Sequence, residues 1–403
     1  MTSRERVLAA LNHEEPDRVP IDFGAMRSTG IMGIAYNRLK AHLGIREGAT
    51  RIYDLMQQLA EPEPEVAERM GADVIQLHRQ APCFGIALGG WKPWTLPDGS
   101  PCEVPAGFAP EAQPDGSLIL RTNGDVVARM PAAGLYFEME HFPLAGARTK
   151  ADVDAYEWPI MSDEEVRYLR RESERLRADA DKAVLGEFGG NVLEGGQFMW
   201  GWARFMELLA DERPLTEHFL ERLVENHIAN LDRYIEAVGD RVDICQVGDD
   251  LGTQEATQLS PRMYRELIWP RHRAIYQHIR EHSRMRVFLH SCGSIAAIIP
   301  DLIEAGVEIL NPVQTSARGM DPAWLKREFG KDLTFWGGGA DTQHVLPHGS
   351  VREVVEDVRT RVGLFKPGGG YVFTQVHNIQ ADVSPENTVA AYETAKACGV
   401  YGL

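Results

Sequence analysis

Short runs rich in Val, Ile, Leu and Phe recur along the chain. Between them lie longer stretches in which apolar residues return every three or four positions. The first kind reads as buried strands and the second as helices packed on them, which is the pattern of a parallel sheet. Eight strands are predicted: 19–24 (VPIDFG), 72–78 (ADVIQLH), 183–189 (AVLGEFG), 242–250 (VDICQVGDD), 286–292 (RVFLHSC), 307–313 (VEILNPV), 333–339 (LTFWGGG) and 371–377 (YVFTQVH). A helix is predicted over 259–282, opening with Ser260-Pro261, a cap followed by proline in the first turn. Segments 294–306, 350–365 and 384–399 follow the same grammar. Eight strands with helical crossovers predict an α/β fold, a closed (β/α)8 TIM barrel spanning 1–403 as a single domain; an open doubly wound sheet is the rival. Residues 84–145 break the pattern. "LPDGSPCEVP" and "ILRTNGDVVARM" set Asp-Gly and Asn-Gly between β-rich arms, so an antiparallel β insertion is predicted after strand two.

Composition narrows the function classes. The formal net charge of -17 repels phosphate backbones, so nucleic acid is not an expected partner. Five widely spaced cysteines, an odd number, argue against a disulfide framework and for a reducing compartment. The first residues, MTSRERVLAALNHEEPDR, form an amphipathic capped helix rather than an apolar leader, and no apolar run nears the roughly 20 residues of a membrane span. A cytoplasmic protein is expected, either monomer or homodimer.

Several predicted strands end in polar residues: His78, Glu187, Asp249-Asp250, His290 to Cys292, Asn311 to Gln314, and Gln375 to His377. In a (β/α)8 barrel these ends share the rim on which active sites are built. His290 and Cys292, two apart at a strand end, project to one face and are candidate ligands for zinc. A satisfied core histidine beside an inert cysteine is the plain alternative. The chain has no Cys-x-x-Cys, so a catalytic site with three protein ligands is favoured over a structural one. The third ligand is sought among His377, His344, Glu187 and Asp250. Glu187, Asp249 and Asp250 are candidates for acid–base work or for orienting a ligand; capping a helix is the other role open to the two aspartates. Adjacent strand residues point opposite ways, so Asp249 and Asp250 both face the site only if the strand has ended. Gln254, Asn311, Gln314, Trp200 and His344 are candidate substrate contacts. Trp200 lies in an aromatic-rich stretch (195–209) that reads either as a lid hinged at Gly195-Gly196 or as core.

The motif His290-Ser291-Cys292 and the segment "HNIQADVSPEN" after strand eight resemble the uroporphyrinogen decarboxylase superfamily, a (β/α)8 family. Within it, the chain is most similar to zinc-dependent methyltransferases that work with corrinoid proteins. The resemblance is carried by residues from about 240 onward and more thinly by 1–80; the β insertion has no counterpart. In that branch a His-x-Cys pair occupies the strand end, and a third ligand, often cysteine, precedes a helix start; His377 takes that place here. Decarboxylases also carry a histidine there, within Gly-His-Gly-Ile, but lack the His-x-Cys pair. Their arginine-rich N-terminal motif is missing, and "FGAMRSTGI" offers only Arg27. The resemblance implies a Zn²⁺ site of His290, Cys292 and His377. It implies transfer of a methyl group from a small methoxylated or otherwise methylated substrate to a corrinoid. No Asp-x-His-x-x-Gly element occurs, so the corrinoid is expected on a separate partner protein. The alternatives are a metal-free decarboxylase-like lyase, a methylcobamide:thiol methyltransferase, or a barrel that binds without catalysis.

Overall fold

In the computed structural model, which describes residues 1–403 apart from Asn123, Ala180 and Leu403, the longest apolar runs are parallel strands. Ala183–Gly189, Ile244–Gly248, Arg286–His290 and Ile309–Asn311 pair in that order. Val184, Leu185, Ile244, Cys245, Val247, Val287, Phe288 and Leu289 are all fully buried, as strands covered on both faces must be. Helices separate the strands: Leu193–Trp200, Trp202–Asp211 and Arg213–Val238 follow the first, Trp269–His282 the second and Ile299–Ala305 the third. The fold is α/β. The chain divides into two compact units, one of Phe142–Ala180 and Val184–Asp321, the other of Met1–His141, Asp181–Ala183 and Pro322–Leu403.

The second of these units carries a parallel pair, Thr334–Trp336 with Tyr371–Val372. The segment 19–24, predicted as a strand, forms a single isolated bridge among the described residues, Ile21 with Phe373. Pro20 has no N–H to give, so the ladder there is reduced to Phe373 N donating to Pro20 O and Asp22 N to Phe373 O. The last predicted strand is assigned only to Tyr371–Val372. Its bonding nonetheless continues: Gly339 N donates to Thr374 O and Val376 N to Ala340 O, which leaves His377 immediately beyond the last bond.

Residues 92–139 hold antiparallel strands. Lys92–Thr95 pairs with Pro101–Val104, and Glu111–Ala112, Leu118–Thr122, Asp125–Met130 and Glu138–Met139 form a four-stranded sheet. The Asn-Gly turn expected between the longest two includes Asn123, which is outside the described residues. Caps fall where the sequence places them. Ser260, Ser350 and Ser384 each accept a backbone N–H from the first turn of the helix they open. The helix predicted over 259–282 is interrupted, however. Tyr264–Ile268 is a π turn, closed by Trp269 N donating to Tyr264 O, and Pro270 follows it. Among the described residues, no helix is long and apolar enough to cross a membrane.

Candidate functional site

The strand Arg286–His290 ends level with its neighbours: His290 stands in register with Gly248 on one side and Asn311 on the other. The chain then turns at Gly293, whose φ is 87°. A Cβ there would stand 2.4 Å from the backbone of Gly252, so the turn requires glycine. This turn leaves the thiol beside the imidazole, with Cys292 Sγ 3.5 Å from His290 Nε2. On the far side of the ring, Asn311 Oδ1 lies 2.7 Å from Nδ1. A carbonyl oxygen only accepts, so Nδ1 carries the hydrogen and Nε2 turns its lone pair toward the sulfur.

That spacing has a chemical reading. A tetrahedral zinc bound to nitrogen at ~2.05 Å and sulfur at ~2.3 Å sets those two atoms ~3.6 Å apart. The pair fits such an ion. An outer group that fixes the tautomer, as Asn311 does, is the usual companion of a metal-binding histidine.

Two carboxylates stand behind the pair. Asp250 Oδ1 accepts the Cys292 N–H at 2.8 Å and lies 3.7 Å from His290 Nε2. Glu194 Oε2 accepts from Asp250 N at 2.9 Å and from Asn191 Nδ2 at 2.8 Å. Burial, followed by the charges of Asp250 and Asp249, pushes the Glu194 carboxyl up to about 8. Burial, with Asp250 and Glu194 behind it, likewise raises the Cys292 thiol well above its ordinary range. Without a cation beside it the thiol keeps its proton. Gln258 closes the arrangement: its Nε2 donates to Asp250 O, and its Oε1 accepts from Gln197 and from the indole of Trp202.

The two adjacent aspartates do point opposite ways. Asp249 is fully buried and accepts from Val192, Leu193 and Glu194 N–H groups and from His272 Nε2. It caps the helix Leu193–Trp200, one of the two roles open to it. Trp200 takes the core side of its two readings. It is 1% exposed and packs edge-on against Phe219, in the core rather than in a lid, while Trp202 and Phe198 are the exposed aromatics. Gln314 Oε1 accepts from Gly293 N and braces the cysteine turn. Gln254 is exposed, and its carbonyl accepts from Arg318 N. Glu187 stands in the row Glu187–Gln246–Phe288, two residues and about 6.6 Å short of the row of His290. In the other unit, His344 is exposed at a helix start where Asp341 Oδ1 accepts its N–H, and His377 is half-buried.

Glu194, Gln258 and His272 were not singled out from the sequence. Glu194 had one visible signal, a carboxylate a few residues beyond a predicted strand. His272 and Gln258 had none, because buried hydrogen-bond partners inside helices and turns leave no spacing pattern.

A model of the uroporphyrinogen decarboxylase (URO-D) family matches residues 124–398. No curated protein matches the sequence. Among solved structures, the chain is similar to a methyltransferase from Methanosarcina mazei, with 18% identity over 98% of this chain and 99% of that one and a TM-score of 0.59. At that identity the likeness is one of fold.

Proposed function

We propose, from the premise that the chain belongs to the uroporphyrinogen decarboxylase family, that it is a zinc-dependent methyltransferase. It removes a methyl group from a small methoxylated or otherwise methylated substrate and passes it to a corrinoid held by a separate protein. With this reading goes the finer fold, a single closed (β/α)8 barrel with residues 84–145 inserted after the second strand. The observation that carries it is the 3.5 Å spacing of Nε2 and Sγ, with Nδ1 held by Asn311. The structural likeness to a protein described as a methyltransferase supports it.

His290 and Cys292 are two of the proposed ligands. His377 is proposed as the third because it follows the last ladder bond of its strand and matches the last ligand of the methyltransferase branch. Zinc, when bound, supplies a Lewis acid for the departing heteroatom. Two neutral imidazoles and one thiolate leave such a site at +1, a better acid than a site with two thiolates. The chain's own groups hold the donors in place: Asn311 fixes the tautomer of His290, and Asp250 fixes the backbone of Cys292.

Metal analysis tests the reading first. About one zinc per chain is expected; a chain that takes up none when zinc is supplied is instead a metal-free lyase or a barrel that binds without catalysis. His377→Cys is expected to retain zinc, because sulfur serves at a slightly longer bond. Loss of metal in that variant as complete as in His377→Ala would remove His377 from the ligand set. The direction of the chemistry is read by calorimetric titration of the zinc-loaded protein in buffers of different ionisation enthalpy. A demethylated product with a phenol or alcohol oxygen is expected to bind more tightly as pH rises through its metal-lowered pKa. Binding of thiols with release of about one proton each, and no response to hydroxylated products, would identify a methylcobamide:thiol methyltransferase instead.

A further inference from the structure

A line of buried polar groups lies behind the start of the helix Leu193–Trp200, and the proposed chemistry does not use it. Tyr264, His272 and Asp249 are each at most 1% exposed. The Tyr264 hydroxyl is 3.2 Å from His272 Nδ1, and His272 Nε2 is 2.8 Å from Asp249 Oδ2. A carboxylate only accepts, so Nε2 carries the hydrogen and Nδ1 takes the tyrosine O–H. The other positions around Asp249 are filled by Leu193 N at 2.8 Å, Glu194 N at 2.7 Å and Val192 N at 3.3 Å.

The helix is built to make this line. Tyr264 and His272 are eight residues apart, and eight residues of unbroken α-helix turn about 800°, which leaves the two side chains about 80° out of line. The π turn over Tyr264–Ile268 takes up one residue without added rotation. The separation then behaves as seven residues, about 700°, and both side chains fall within ~20° of one face.

We infer that Tyr264, His272 and Asp249 form a positioning relay for the thiol–imidazole pair. The relay fixes the start of the helix, and the helix start sets Glu194. Glu194 Oε2 holds Asp250 N at 2.9 Å, and Asp250 Oδ1 holds Cys292 N at 2.8 Å. Tyr264 and His272 act on the thiol only through these bonds. The inference goes beyond the methyltransferase reading and stands whether or not a metal binds.

The test reads the thiol rather than turnover. In metal-free protein, alkylation of Cys292 by iodoacetamide is followed by peptide mass spectrometry, with fully buried Cys245 as internal standard. Releasing the helix start loosens the hold of Asp250 on the Cys292 backbone, so the turn opens and the thiol becomes more accessible to the reagent. His272→Phe keeps an aromatic ring and loses both bonds; Cys292 is expected to react about tenfold faster, with Cys245 unchanged. Tyr264→Phe removes a single hydroxyl, and about threefold is expected. His272→Gln, whose amide N–H still donates to Asp249, is expected to react near the wild-type rate. An unchanged Cys292 rate in Tyr264→Phe and His272→Phe would overturn the relay. So would equal acceleration at Cys245, which marks general loosening of the fold.

Discussion

Cys292→Ala is expected to abolish zinc binding and turnover while the protein still folds and melts as the wild type does. The core of its strand is Val287, Phe288 and Leu289, all fully buried, whereas Cys292 lies past the strand end and is half-buried. Alanine removes the sulfur but keeps the backbone N–H that Asp250 holds. The structural cost is therefore small, within about 1 kcal/mol. The loss in zinc affinity should exceed the ~10- to 100-fold that follows removal of an outer-shell partner, because a ligand itself is gone. Zinc per chain and a thermal melt, taken on the same sample, decide the matter. A variant that keeps its metal, or one that unfolds, defeats the catalytic-zinc proposal.

Glu194→Gln should stabilise the protein by an amount that grows as pH rises from about 4.5 to about 8. The carboxyl titrates near 8 in the folded chain against an ordinary 4.5. Between those values the folded state holds a proton that the unfolded state has released, so stability falls as pH rises through this window. The full penalty is reached above pH 8. Glutamine removes the ionisation and keeps an oxygen for Asp250 N and Asn191 Nδ2. A gain on the order of 3 kcal/mol is expected at pH 9, with little change at pH 5. Urea unfolding at the two pH values measures it, and an equal effect at both would show that Glu194 is not held protonated by its surroundings. Stability sacrificed beside a thiol–imidazole pair is what a functional site does to its scaffold.

The strands were legible where burial on both faces made them continuous apolar runs, as in "AVLGEF" and "RVFL". They were misread where backbone chemistry overrode composition. "VPIDFG" has strand composition, yet Pro20 limits it to a bridge. The pair His290–Cys292 was legible because a two-residue spacing at a strand end has a single geometric meaning. Its tautomer partner Asn311 was legible as a polar strand end, but not in its role, which depends on the register of two strands distant in sequence. Asp249 and Asp250 show the limit most sharply. Alternation separates them only while the strand lasts, and it ends at Gly248, so the packed helix start at Leu193 is what reveals which one became the cap. Trp200 and Trp202 differ by two positions and by 56 percentage points of exposure, 1% against 57%. Helical phase around Gly201 sorts them, and composition does not.

The π turn makes the spacing of Tyr264 and His272 elastic by one residue. In an ordinary helix, deleting a residue rotates everything beyond it by about 100° and parts two partners that had faced each other. Here a deletion within 265–269 would let the π turn relax to α-helix and leave tyrosine and histidine seven apart, still on one face. A lineage can therefore gain or lose a single codon at this place without breaking the contact. The form a relative has adopted can be read without its structure: six residues between the tyrosine and the histidine mean a regular helix, and seven mean the bulge.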